Sequence, residues 1–142
     1  MTLILDGKKV RDGILQSLIV ETAMLLPKPK LAILQVGSRV ESNAYIAQKK
    51  SFGARAGFLV EHLAFAPEIT QSSLVQHIEK LNLDSSVHGI IVQLPLPEHI
   101  EVQKVIDTIV HIKDVDGLTS ANKELLTMGR LKVLCQQLLG GC

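Results

Sequence analysis

The stretch "PKLAILQVGSRVESNAYIAQKKSFGARAGF", residues 29–58, decides the fold class of this 142-residue chain. It opens with a short apolar run, residues 31–36, which has the length and composition of a buried strand. A helical pattern follows over residues 41–56, and Gly57 is a residue type that commonly ends a helix. A buried strand followed by a helix is the repeating unit of a parallel α/β sheet.

The same alternation runs through most of the chain. The runs "LVEHLAF" (Leu59–Phe65) and "GIIVQL" (residues 89–94) predict two more buried strands. Helical patterns cover about residues 7–25, a segment after Thr70, and residues 101–110. We therefore predict an α/β domain with three layers (αβα) and a mainly parallel sheet. Ligands of such sheets collect at the carboxyl ends of the strands.

The composition narrows the class of protein. Hydrophobic residues make up 46% and charged residues 20% of the chain, and 15 Lys and Arg nearly balance 14 Asp and Glu. We expect a globular protein with no nucleic-acid partner and no membrane partner, because there is neither a basic excess nor an apolar run of about 20 residues. The expected location is the cytoplasm, and an organelle is also compatible. Scattered histidines and two late cysteines predict no metal site, and no glycine-rich phosphate-binding motif is present.

The adjacent lysines Lys49 and Lys50 fall on different faces of the predicted helix. At 100° per residue, Ser42, Tyr45 and Lys49 share the apolar stripe, whereas Lys50 lies on the polar face. One explanation is that Lys49 packs its aliphatic stem and extends its amino group to water. The other is that Lys49 lines a cleft, where a desolvated lysine can exchange protons with a substrate.

Two further stretches carry candidate site residues. Gln93 interrupts an apolar strand, so its amide either bonds a neighbouring backbone group or contacts a ligand or Lys49. The residues after it, Leu94, Pro95 and Leu96, would form a rigid apolar wall suited to a flat heterocycle. In "KDVDG", residues 113–117, Asp and Gly are typical of a turn, and one carboxylate could also accept paired N–H donors from a ring.

Taken together, these segments resemble one known family. The stretch at residues 29–58, "VHGIIVQLPLPEHI" (residues 87–100) and "KDVDGLTSAN" (residues 113–122) occur in the same order in bifunctional methylenetetrahydrofolate dehydrogenase/methenyltetrahydrofolate cyclohydrolases. The likeness runs from about "ILDGKKV" to "MGRL". It implies a folate-binding catalytic domain over residues 1–130, followed by a divergent or truncated tail over residues 131–142.

The resemblance also implies roles for individual residues. Lys49 matches the catalytic lysine, Gln93 the glutamine that bonds it, and Tyr45 the neighbouring residue over the folate. Asp116 matches the residue that anchors the pterin-like ring, and Ser42 matches a serine beside them. The implied substrate is a tetrahydrofolate derivative in one-carbon metabolism, which supplies purine biosynthesis, and no metal is involved.

The family has a second, Rossmann-type domain that binds NADP, and the matching segments end before it. We therefore expect no dehydrogenase activity from this chain alone, and weak or no cyclohydrolase activity. The full-length family is expected to form homodimers. Two alternatives remain open: a folate-binding module without turnover, and a fragment that self-associates. A lysine enzyme that forms a Schiff base would use the same buried lysine.

Overall fold

A computed structural model describes residues 6–128 of the chain. The elements, in chain order, are α1 (Gly7–Ala23), β1 (Lys30–Val36), α2 (Val40–Ala56), β2 (Leu59–Phe65), α3 (Gln71–Leu83), β3 (Gly89–Gln93), α4 (Val102–Asp107), a 3₁₀ helix (His111–Lys113) and α5 (Ser120–Thr127). The predicted α/β class is confirmed.

The sheet has three parallel strands in the order β2-β1-β3. Its central strand, β1, pairs with both neighbours, so that Gln35 lies beside Gln93 of β3 and beside Ala64 of β2. Because paired residues in a sheet point to the same face, Gln35 and Gln93 both project to one side at the carboxyl end. This is the edge at which the sequence places a ligand.

The two faces of the sheet are covered to different extents. Alternate residues of β1 and β3 pack against α3 and the segment around α4 in one large cluster, which includes Leu34, Val92, Leu74, Ile78 and Val105. The opposite face packs against α2, and there the buried cluster consists of Ile33, Ile46 and Ile91. Lys49 and Gln93 lie on this second face, where polar side chains interrupt the apolar core.

The ends of α2 and α3 follow from local chemistry. Thr70 begins α3 by accepting a hydrogen bond from the backbone N–H of Ser73 at 3.2 Å. Gly57 ends α2 in the left-handed conformation with φ of 83°. A Cβ at this position would lie 2.6 Å from Thr22 Oγ1 of α1, so glycine also permits the two helices to approach closely.

One prediction about the second half of the chain needs correction: the helix predicted over residues 101–110 is shorter, Val102–Asp107. The predicted turn at residues 113–117 begins at the end of the 3₁₀ helix and precedes α5, two elements that the sequence does not predict. The predicted domain limit at residue 130 and the tail over residues 131–142 lie outside the described residues and stay predictions.

Candidate active site

The two adjacent lysines of α2 extend to opposite sides of the helix. Lys49 is half-buried, and its Nζ donates a hydrogen bond to Gln93 Oε1 of β3 at 3.4 Å. Lys50 is exposed, and its Nζ lies 3.4 Å from His62 Nδ1 of β2. The prediction that the two lysines are not equivalent is confirmed. Lys50 is exposed, but it also contacts the neighbouring strand β2.

Helical geometry explains this divergence. Ile46 points at the sheet and is 3% exposed. At about 100° per residue, Lys49 is rotated about 60° to one side of Ile46 and Lys50 about 40° to the other. Ile46 packs against Ile33 of β1 and Ile91 of β3. Lys49 is directed towards β3 and Lys50 towards β2.

Both polar atoms of the Gln93 side-chain amide have hydrogen-bond partners. Its Nε2 donates to the backbone carbonyl of Leu94 at 2.9 Å, which leaves Oε1 to accept from Lys49. Both readings of Gln93 from the sequence are therefore satisfied at once, a backbone contact and a contact with Lys49. The amide is oriented so that it presents an acceptor to the amino group.

The residues after Gln93 lie at different depths. Leu94 is half-buried and packs against the large core cluster, whereas Pro95 is exposed. Leu96 is 7% exposed and belongs to the large core cluster on the other face. Its predicted part in an apolar ligand wall stays a prediction, and its visible contacts are those of a core residue.

Ser42 and Tyr45 share a helical stripe with Lys49 but differ in burial. Ser42 is 6% exposed, as the projection predicts. Tyr45 is 59% exposed, although it lies on the same apolar stripe. The physical reason is angular: Tyr45 is rotated about 100° from Ile46, beyond the part of the helix that the three strands cover. Its ring is free to contact a ligand, and its role beside a folate stays a prediction.

The charged residues of the "KDVDG" segment have different surroundings in the structure. Lys113 Nζ donates to the carbonyls of Leu81, Asn82 and Asp84 at 2.9, 2.8 and 2.8 Å, and so holds the end of α3. Burial lowers the pKa of Lys113 below its ordinary value. This lysine therefore has a structural function.

Asp114 likewise supports the fold. It is 1% exposed and accepts hydrogen bonds from the backbone N–H of Leu118 and Thr119 and from Asn122 Nδ2. Burial by itself would raise the pKa of Asp114, but these donors outweigh burial and hold the pKa below the ordinary value. The lone pairs of this carboxylate are used by protein donors, so a ligand would need another acceptor.

Asp116, the second acid of the segment, has different surroundings from Asp114. Its side chain is exposed and has no hydrogen-bond or salt-bridge partner in the part of the chain that the structure describes. The backbone before it runs alongside β3 through a bridge between Asp114 and Ile90. Gly89 permits this approach, because a Cβ there would lie 2.5 Å from Val115 Cγ2. The segment thus lines β3, the strand that also carries Gln93.

A cavity of about 540 Å³ adjoins Lys49 on the α1 side of α2. Its other lining residues combine an apolar floor with polar and cationic side chains: Arg11, Leu31, Gln48, Ser51, Phe52, Arg55 and Phe58. These residues carry no local sequence signal that points to a site. Arg11 is in α1, and only the packing of α1 on α2 brings it close to Lys49.

Within residues 6–128, no three His, Cys, Asp or Glu side chains come together in an arrangement that could hold a metal ion. No helix in this part of the chain is long and apolar enough to cross a membrane. What the arrangement offers is an amino group, an amide acceptor beside it and an unpaired carboxylate along the same strand.

Known proteins have sequences similar to that of this chain. The model of the tetrahydrofolate dehydrogenase/cyclohydrolase catalytic domain matches residues 5–116. A bifunctional protein FolD of Amoebophilus asiaticus is 42% identical over 126 residues, which are 86% of this chain and 42% of the relative. Another, from Listeria innocua, is 38% identical over 130 residues, or 89% of this chain and 46% of the relative. The chain thus spans a little less than half the length of these relatives.

Solved structures agree with the sequence relatives. The bifunctional FolD enzyme of Campylobacter jejuni superposes with a TM-score of 0.87 at 34% identity, over 89% of this chain and 46% of that one. The dehydrogenase-cyclohydrolase of Trypanosoma brucei, solved with NADP cofactor and an inhibitor, gives 0.82 at 31% identity, over 88% of this chain and 44% of that one. On the extent of the family match and these similarities, the chain belongs to the tetrahydrofolate dehydrogenase/cyclohydrolase family.

Proposed function

We propose that this chain provides the folate-binding wall of a methenyltetrahydrofolate cyclohydrolase, with Lys49 as the group that transfers protons. The observation that carries the proposal is the contact between Lys49 Nζ and Gln93 Oε1 at 3.4 Å on the half-covered face of the sheet. The membership of the family supports the substrate class. The exposed Asp116 and Tyr45 are the proposed contacts for the ring system of the folate.

Hydrolysis of the methenyl group requires a proton acceptor. Water adds to the cationic methenyl carbon, one carbon–nitrogen bond of the ring breaks, and formyltetrahydrofolate results. Of the two protons of the water, one reaches the departing nitrogen and the other leaves to solvent. Lys49 in its neutral amine form accepts a proton from the attacking water and can return it to the nitrogen. An ammonium group has no acceptor and could not begin this step.

The residues around Lys49 support this role. Gln93 Oε1 accepts an N–H of the amine, which directs the nitrogen lone pair away from the strand. Asp116, as an acceptor with no partner among the described residues, suits paired N–H donors on a pterin-like ring.

NADP does not fit the residues of this chain. The turn after β1 is Gly37-Ser38-Arg39, and the chain has no glycine motif of the kind that cradles a dinucleotide phosphate. We therefore propose hydrolysis, and derive no hydride step. For the whole protein we propose the bifunctional activity of its relatives, a role in the one-carbon supply for purine synthesis, a homodimeric state and a cytoplasmic location.

The test is the loss of methenyltetrahydrofolate absorbance with the purified chain, the Lys49→Met variant and the Lys80→Met variant. Lys80 is an exposed lysine of α3, on the other face of the sheet, so its replacement is a matched control. We expect hydrolysis above the buffer rate with the parent chain and with Lys80→Met, and none with Lys49→Met. Equal rates for the two variants would contradict the proposal.

A folate-binding module without turnover is the second candidate. It is favoured by the exposure of Tyr45 and Asp116, which leaves this wall open to bulk water, whereas hydrolases commonly close their sites. Calorimetric binding of tetrahydrofolate with no loss of methenyltetrahydrofolate absorbance would identify this module. Helix α1 exposes the apolar residues Val10, Ile14 and Val20, which could support self-association. Light scattering on the same samples measures it.

A further inference from the structure

A second set of polar side chains lies on the α2 side of the sheet and is not used by the proposed reaction. Four hydrogen bonds join it into one chain, here called the Gln35 network: Lys50 Nζ to His62 Nδ1 at 3.4 Å, His62 Nε2 to Gln35 Oε1 at 2.8 Å, Gln35 Nε2 to Asn43 Oδ1 at 2.8 Å, and Asn43 Nδ2 to Ser38 Oγ at 3.0 Å. The network connects β2 and β1 to both halves of α2.

All the bonds of the network point in one direction. Asn43 donates to Ser38, so its oxygen accepts from Gln35, and the oxygen of Gln35 in turn accepts from His62 Nε2–H. His62 Nδ1 is then left as an acceptor for the ammonium of Lys50, which can only donate. His62 is therefore a neutral imidazole with its proton on Nε2.

The network fixes α2 because its centre is buried. Gln35 is 4% exposed, and both polar atoms of its amide have partners. If α2 rotated or slid along the sheet, Asn43 would leave the Gln35 amide, and a buried donor would lose its partner. The helix is thus held in one position by a polar contact that has little freedom.

This position matters to Lys49. Gln35 is the strand neighbour of Gln93 and projects to the same face. Asn43 and Lys50 are rotated about 60° and 40° to the β2 side of Ile46, whereas Lys49 is rotated about 60° to the β3 side. The network therefore holds one flank of α2 while Lys49 contacts Gln93 from the other. At 3.4 Å that contact is near the outer limit for a hydrogen bond, so a small rotation would break it.

We propose that Gln35, His62 and Asn43 are positioning residues, which hold α2 at the rotation and height that place Lys49 Nζ on Gln93 Oε1. The catalytic consequence rests on the proposed function, but the positioning itself does not. Burial and, secondarily, the charge of Lys50 lower the pKa of His62. Protonation of His62 would remove the acceptor of Lys50 and place two cations side by side, so acid weakens the network.

The experiment measures the reactivity of the Lys49 amine without any need for turnover. The chain is labelled with a limiting amount of acetic anhydride, and peptide fragmentation gives the ratio of acetylation at Lys49 to that at the exposed Lys80. The variants are Gln35→Leu, Asn43→Ala and Gln93→Leu, with Gln76→Ala as control. Gln76 is an exposed amide of α3 outside the network, and Asn43 is itself exposed, so Asn43→Ala leaves the core intact.

We expect Gln35→Leu and Asn43→Ala to raise the ratio of acetylation at Lys49 to that at Lys80 by about threefold or more. The reason is that residues of one hydrogen-bond network are energetically coupled. Gln93→Leu should give at least the same rise, and Gln76→Ala should give none. A parental ratio in a folded Asn43→Ala variant would overturn the proposal, and so would a parental ratio in Gln93→Leu. Neither outcome depends on whether the chain hydrolyses a folate.

A pH series separates positioning from general loosening of the fold. Lys50 is the charged group that faces His62 among the described residues. We expect the Lys49 ratio of the parent to rise as the pH falls below 6.5, the ordinary pKa of histidine. In His62→Gln, which keeps a donor and an acceptor but does not titrate, the ratio should stay flat. The same rise in both proteins would refute the role of His62.

Discussion

Replacement of Asp114 by Asn tests the division of the two acids of "KDVDG" into a structural and a site residue. Asp114 accepts from Leu118 N at 3.3 Å, Thr119 N at 2.8 Å and Asn122 Nδ2 at 2.9 Å. Asparagine has one acceptor oxygen, so in its best orientation it loses the Leu118 bond and presents its NH₂ to that N–H. It also removes the charge that strengthens the other two bonds.

The magnitude follows from these three bonds. Loss of the weak bond costs about 1 kcal/mol, and loss of the charge costs about 0.5–1 kcal/mol for each of the other two, so we expect unfolding to become easier by about 2–3 kcal/mol. Urea denaturation followed by circular dichroism measures this. With a slope of about 1–3 kcal/mol per molar urea, the midpoint should fall by about 0.7–3 M.

The matched variant is Asp116→Asn. Asp116 is exposed and has no partner among the described residues, so its change should leave the free energy of unfolding within about 0.5 kcal/mol of the parent. It should instead weaken the binding of tetrahydrofolate. A parental urea midpoint for Asp114→Asn, or an equal fall for Asp116→Asn, would refute the assignment of roles.

Three further predictions concern Lys113, Ile46 and the pH dependence of the stabilisation by Asp114. Lys113→Met should lower stability by about 1–3 kcal/mol in urea, because three carbonyls at the end of α3 lose a shared donor; a parental midpoint would contradict this. Ile46→Ala should cost about 2–5 kcal/mol, since Ile46 fills the small cluster with Ile33 and Ile91; a loss below about 1 kcal/mol would show that α2 is held mainly by other contacts. Because the folded pKa of Asp114 lies below its ordinary 3.8, its stabilisation is fully present above that value and is lost as the pH falls through the folded pKa. The difference between the urea midpoints of the parent and Asp114→Asn should therefore shrink from pH 7 to pH 2, and a constant difference would contradict it.

The features that the sequence predicts are those set by local periodicity. The strands at Lys30–Val36 and Leu59–Phe65 appear within one residue of the apolar runs. The difference between Lys49 and Lys50 also follows from helical geometry alone, because a rotation of about 100° per residue separates them. Tyr45 marks the limit of this reasoning, since a projection gives an angle but not the width of the surface that covers the helix.

The features that the sequence does not predict depend on contacts between distant segments. No helix is predicted over Ser120–Thr127, where α5 forms, and Asp114 supports its start through Thr119 and Asn122. The Gln35 network joins residues of two strands and a helix, and Gln35 and His62 are 27 positions apart in the sequence. It becomes visible only when the strand order β2-β1-β3 is known.

The measurement that tests the central claim most directly is an NMR titration of the ¹⁵N-labelled chain with tetrahydrofolate. The claim is that one folate site includes Lys49, Gln93, Tyr45 and Asp116. We predict that the amide signals of these four residues shift together with a single dissociation constant, while exposed positions of α3 such as Gln76 do not move. Saturable shifts confined to α3 and α4, or no shifts at all in the folded chain, would contradict the account.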